Sequence, residues 1–96
     1  MQVKWLRRAL RNLDQEAAHI AQDNRRAAAG LIAQANQVTQ LLVLHPGLGR
    51  PGRVPGTREM VLPDFPYIIP YRVKDQCVEV LRVFHASRKW PTGFTN

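Results

Sequence analysis

His85 is the residue of this chain best suited to moving a proton at neutral pH, because imidazole is the side chain that ordinarily titrates there. Arg58, Arg72 and Arg88 carry guanidinium groups of the kind that clamp a phosphate through paired hydrogen bonds. Arg50 and Arg53 stand on a Gly/Pro-rich stretch where they could grip a phosphodiester backbone, and Tyr67 and Tyr71 offer faces on which bases could stack. Cleaving RNA through its own 2′-hydroxyl needs a base, an acid for the leaving oxygen and cations on the developing phosphorane charge. Those residue types are all present.

Each also has a plainer role. A histidine at the end of a strand commonly makes a local hydrogen bond. Tyr67 and Tyr71 share parity with Ile69 and Val73, which points to core packing. Arg72 and Arg82 have cross-strand partners available in Glu79, Asp75 or Glu59. Arg7, Arg8 and Arg11 read as a solvated helix face, His19 as a boundary residue, and Trp5 and Trp90 as rings buried against a sheet. Cys77, the single cysteine, reads as a small core residue. There is no glycine-rich phosphate motif after a strand, no metal-ligand cluster and no nucleophile–base pair, so no cofactor or metal is expected.

The elements that must position these residues follow from hydrophobic period. Leu6, Leu10, Leu13, Ala17 and Ile20 form one helical stripe; Ala28, Leu31, Ile32, Ala35, Val38, Leu41 and Leu42 form a second. Asn24 is an N-cap for the second helix, and His45-Pro46-Gly47 ends it. Two amphipathic helices with so short a connection predict an antiparallel hairpin. Residues 46–56 are dense in Pro and Gly, contain no acid, and are expected to be irregular. Residues 57–62, 67–73 and 77–84 have the two-residue rhythm of strands, with Pro70 confined to an edge-facing or bulged position. A short first strand at 3–5 completes a β-α-α-β-β-β order: an α+β fold with a helical hairpin on a small antiparallel sheet.

Ninety-six residues allow a single core, read here as one domain over 1–91 and a short tail over 92–96. A lone cysteine excludes a disulfide-stapled scaffold. The longest run of large apolar residues, 41–44, falls short of the ~20 that span a bilayer, and the charged N-terminus lacks the apolar core of a secretory leader, so a cytoplasmic location is expected. Fourteen Lys and Arg face seven Asp and Glu, for a net charge of +7. Eleven of the fourteen cations are Arg, which favours bidentate recognition of phosphate or carboxylate. Such a surface attracts polyanions, whether nucleic acid or an acidic protein segment.

Three stretches in this order resemble the RelE/ParE superfamily of bacterial type II toxins. They are Gly49-Arg50-Pro51-Gly52-Arg53-Val54-Pro55-Gly56-Thr57-Arg58-Glu59, then Pro66-Tyr67-Ile68-Ile69-Pro70-Tyr71-Arg72-Val73, and finally Val78-Glu79-Val80-Leu81-Arg82-Val83-Phe84-His85-Ala86-Ser87-Arg88-Lys89-Trp90-Pro91. The resemblance covers nearly the whole chain. It implies a toxin that arrests bacterial growth, of the kind that acts in plasmid stabilization, neutralised by a cognate antitoxin whose acidic, partly disordered segment wraps it. Arg7, Arg8 and Arg11 are candidate antitoxin contacts.

The superfamily contains two activities. Its RelE-like members cleave mRNA on the ribosome, and its ParE-like members inhibit DNA gyrase. For an mRNA interferase, His85, Arg58 and Arg88 would be the catalytic set. For a gyrase inhibitor, Arg50, Arg53, Arg72, Lys89 and Trp90, together with Arg58 and Arg88, would contact the target. The chain has no lysine between Lys4 and Lys74 and no tyrosine after His85, unlike the ribosome-dependent branch, and its His-Ala-Ser-Arg-Lys-Trp-Pro ending is closer to the ParE branch. A basic nucleic-acid-binding module is a more distant alternative. No helix-turn-helix spacing, zinc pattern or RNA-binding aromatic signature accompanies it.

Overall fold

The computed structural model of the chain describes residues 1–87. The elements run β1 (Gln2–Trp5), α1 (Arg7–Ala21), α2 (Arg25–Leu44), β2 (Arg50–Pro51), β3 (Arg58–Val61), β4 (Tyr67–Lys74), β5 (Cys77–Val80) and β6 (Phe84–His85). The end of the domain and the tail, as read from the sequence, lie outside the described residues, as do Arg88, Lys89 and Trp90.

α1 starts directly from β1, with the buried Leu6 donating its N–H to the Val80 carbonyl at 3.1 Å. Its buried face is Ala9, Leu13, Glu16 and Ala17; that of α2 is Ala28, Leu31, Ala35, Val38, Thr39 and Leu42. Alanines stand among the larger residues on both faces, which lets the two helices pack closely on each other, with α2 reaching β5 and β1 of the sheet. The expected stripes were therefore too wide: Leu10, Ile32 and Leu41 flank the buried face and are 47%, 37% and 42% exposed. Asn24 caps α2 as expected, its Oδ1 accepting from the Ala27 N–H at 3.0 Å. The buried Thr39 hydroxyl is satisfied by the Ala35 carbonyl one turn back, at 2.9 Å. By length and composition α2 could cross a bilayer, at a mean hydropathy of 1.2, which the run at 41–44 alone did not reveal. In this fold it is the central core helix, packing Leu31, Ala35 and Val38 against Tyr67, Ile69 and Val80.

The sheet order is β1-β5-β4-β3-β2. The meander β3-β4-β5 is antiparallel, as the sequence predicted, but β1 pairs parallel to β5 from Gln2↔Cys77 to Trp5↔Val80, so the sheet is mixed. The orientation of a four-residue first strand is set by where the distant strands lie, and its own residues do not encode it.

The single strand expected over 77–84 is broken. β5 faces β4 up to Val80↔Tyr71, and β6 resumes at Phe84↔Ile68, one residue out of register. Pro70 is the cause. Its carbonyl accepts from Leu81 at 2.9 Å, so its ring nitrogen points the same way, toward the residues just after β5, which find no donor there. The freed Val83 N–H is taken by Asn12 Oδ1 of α1 at 3.2 Å.

Residues 46–56 are more regular than their composition predicted. Arg50 and Pro51 form β2 against Glu59 and Arg58. Thr57 closes the turn, its hydroxyl donating to Val54 and its carbonyl accepting from the Gly52 N–H at 2.8 Å. A proline is tolerated in so short an edge strand because only one side is paired.

Candidate functional site

Polar side chains gather at opposite ends of β4. At the Tyr71 end lies the arginine-rich connection between α2 and β3. Glu59 organises it from below: its side chain is 2% exposed, and Oε1 accepts from Arg50 Nη2 at 3.1 Å and Nε at 3.2 Å. Glu59 Oε2 accepts the Arg53 backbone N–H at 3.0 Å, with Arg53 Nε at 4.0 Å. One buried carboxylate thus serves two guanidinium groups, each more than half exposed, and positive charge is left over for a partner.

Arg58 holds the same segment from the other side, its Nη1 donating to the Gly49 carbonyl at 2.8 Å and more weakly to Gly47 at 3.4 Å. The Tyr71 hydroxyl donates to the Pro46 carbonyl at 2.8 Å and accepts from the Gly49 N–H at 2.9 Å. Burial pushes the Tyr71 phenol above its ordinary range, opposed by the Gly49 N–H and the Arg58 charge. Both candidate base-stacking tyrosines are core residues, Tyr67 at 3% and Tyr71 at 0% exposure. Their faces are filled by neighbours in the protein.

Arg72 lies on the face of the sheet away from the helices and pairs with Glu79 at 2.7 Å, one of the partners the sequence offered it. The register sets Lys4 on the far side of the same glutamate. Arg7, Arg8 and Arg11 are exposed along α1. Near Arg8 is Arg82, 5% exposed, with Nη1 donating to the Leu81 carbonyl at 3.1 Å. Burial first, and then Arg8, lowers the affinity of the Arg82 guanidinium for its proton.

At the other end of β4, His85 packs edge-on against the Tyr67 ring, with centroids 5.3 Å apart and planes at 82°. It lines an open groove of about 470 Å³ with Glu16 and His19 of α1, Phe65, Pro66 and Ser87. Glu16 is buried, and its place on the stripe Ala9, Leu13, Glu16, Ile20 was the sequence signal for it: an acid at an apolar period. Among the described residues no cluster of His, Cys, Asp or Glu is arranged to hold a metal.

The two ends do not meet. Arg58 faces Tyr71 and His85 faces Tyr67, four residues apart on β4, or roughly 13 Å at the strand rise. Arg58 also reaches the other way, to Gly49. Arg50, Arg53 and Arg58 are gathered in one place, and His85 stands apart from them.

The structure is thus a helical hairpin on a mixed sheet, with a pinned arginine loop at one end of β4 and His85 at the other. Comparison with known proteins places it. The family model for the ParE toxin of type II toxin-antitoxin system, parDE, matches residues 3–90. A relative from Sinorhizobium fredii (strain NBRC 101917 / NGR234), named "Putative toxin Y4kP", is 47% identical over 89 residues, covering 93% of this chain and 92% of its own. A solved structure, "Chromosomal ParDE TA system from P. aeruginosa", contains a chain that superposes with a TM-score of 0.80 at 30% identity, covering 91% of this chain and 97% of that one. The chain belongs to the ParE toxin family of type II toxin–antitoxin systems, and membership implies an antitoxin partner.

Proposed function

We propose that this toxin arrests bacterial growth from the cytoplasm by binding DNA gyrase, and that it has no hydrolytic chemistry of its own. The observation that carries this reading is the separation of His85 from the arginine loop: a phosphodiester held by Arg50, Arg53 and Arg58 would have its scissile bond out of reach of the imidazole. A binding toxin needs no such convergence. It needs cations fixed in position and still open to a partner, and the Arg50 and Arg53 side chains, 52% and 53% exposed over the buried Glu59, meet that requirement. Arg72, Arg88, Lys89 and Trp90 are assigned to the same target.

The exposed Arg7, Arg8 and Arg11 of α1 are proposed to receive acidic side chains of the antitoxin. Neutralisation then follows from occupancy of a surface of opposite charge.

The test is precursor uptake after inducing the chain without antitoxin, alongside supercoiling by purified gyrase. Early loss of thymidine incorporation and of supercoiling, with methionine incorporation continuing, is the expected result. Early loss of methionine incorporation with cleaved mRNA would overturn it.

A further inference from the structure

We propose that the face of the sheet turned away from the helices binds the phosphate backbone of duplex DNA, through Lys4, Arg50, Arg72 and Lys74. The strand register brings these side chains together. Arg72 on β4 and Lys4 on β1 flank Glu79 of β5 in one row across the sheet. Lys74 stands two residues further along β4, and Arg50 of β2 faces Glu59, which pairs with Pro70 of β4. Residues two apart in a strand share a face, so all four cations project from the same side. At ~4.8 Å between strands and ~3.4 Å per residue, the roots of neighbouring cations are roughly 7 to 12 Å apart. Duplex DNA carries a charge for about every 1.7 Å of its axis, so a fixed array of this pitch meets several phosphates at once.

The acids of this face do not cancel it. Glu59 is 2% exposed and Glu79 12%, each beneath the guanidinium it fixes, while Arg50 and Arg72 are 52% and 37% exposed. Both lysines are exposed. A partner therefore meets cations. Glu59 takes Nε and Nη2 of Arg50, and Glu79 takes Nε of Arg72. Nη1 of Arg50 and both terminal nitrogens of Arg72 have no partner among the described residues, and a phosphate accepts from such donors. An acidic protein segment fits this face less well, because protein interfaces centre on apolar and aromatic anchors. The exposed Leu10, Ile32, Leu41 and Leu44 are all on the helices. Among the described residues, no exposed large apolar side chain stands between Arg50 and Lys4 on the sheet face. A polar and strongly cationic surface is the character of a protein–DNA interface.

The site stands on the register of the sheet. Its part in toxicity rests on the proposed gyrase target, since gyrase holds the duplex that this face would touch. The experiment is fluorescence anisotropy of the full chain with a fluorescein-labelled duplex of about 30 base pairs, across roughly 50 to 200 mM salt. Four phosphate contacts predict a slope of log affinity against log salt of about −3.6. Lys4→Gln/Lys74→Gln should flatten that slope by about 2 and weaken binding at least about tenfold at the low-salt end. Both lysines are exposed, so the variant is expected to fold as the wild type does. Arg25→Gln/Arg26→Gln, which removes the same charge from α2, should leave the slope unchanged. A duplex that does not bind, or binding that falls equally in the two double variants, overturns the site. Poly-L-glutamate that competes as well as unlabelled duplex also overturns it, and assigns the face to an acidic protein. Supercoiling by gyrase is then measured with the same variants. Full inhibition by the lysine variant overturns the part of this face in toxicity and leaves gyrase as the target. A wild-type chain that binds duplex through these lysines but never inhibits gyrase overturns the gyrase reading instead.

Discussion

The Tyr71 phenol and the Gly49 backbone fix each other: the Gly49 N–H donates to the phenol oxygen at 2.9 Å, and a Cβ on Gly49 would stand 2.7 Å from that oxygen and 2.8 Å from the Glu59 carbonyl. The contact decides where the arginine loop sits, because the loop carries Arg50 just beyond it. Gly49→Ala is expected to destabilise the fold and Tyr71→Phe to cost about 1–3 kcal/mol, since the Gly49 N–H and Pro46 carbonyl lose a buried partner. The double variant should not recover fully, because the clash with the Glu59 carbonyl remains. Denaturant melts of the two single variants and the pair test this as a cycle.

Tyr71 also predicts a pH dependence. Its folded value is raised above the ordinary ~10, so the stability it contributes is fully present below pH ~10 and is lost as pH rises from there through the folded value. Wild-type stability should fall more steeply between pH 9.5 and 11 than that of Tyr71→Phe, as measured by thermal melts across that range.

Glu59 neutralises part of the loop it organises. Glu59→Gln is expected to cost about 1–3 kcal/mol, less than a fully buried pair would, because Arg50 and Arg53 can turn to solvent. The loop should lose its position while its charge rises. Weaker gyrase inhibition from this more basic variant would show that placement, and not net charge, governs target binding; unchanged inhibition would remove Arg50 and Arg53 from the target surface.

The β4–β5 turn carries strain that can be relieved. Asp75 and Gln76 both have positive φ, 51° and 59°, in a two-residue hairpin with no glycine. Gln76→Gly should stabilise by about 1 kcal/mol and raise the melting temperature by roughly 4–8 °C. No change would mean that contacts of the Gln76 side chain compensate for the strain.

Neither helix has an acid in its first turn, and arginines stand there instead: Arg7 and Arg8 in α1, Arg25 and Arg26 in α2. This opposes the helix dipole. Arg25→Glu is expected to stabilise by about 0.3–1 kcal/mol at low salt, less as salt is added. The same change at Arg7 should stabilise similarly but weaken antitoxin binding, a split that calorimetry and a binding isotherm would resolve.

The sequence by itself determined the local structure. Helical periods at 6–20 and 28–42, the Asn24 cap, the stop at His45-Pro46-Gly47 and the two-residue rhythm of the later strands are short-range facts of side-chain size and backbone freedom, and they appear in the structure with small shifts in boundary. Family and fold class were also legible, because the arginine, proline and tyrosine spacings reflect those same local elements in order. Tertiary structure decided what depends on residues far apart in the chain. The parallel pairing of β1 required β5 to be in place, and the break after Val80 required Pro70 to lie beside it. The gathering of Arg50, Arg53 and Arg58 around Glu59 and Tyr71, with His85 four residues away along β4, is set by the register of one antiparallel pair against another. A register is an energy shared between strands, so neither strand's sequence carries it alone.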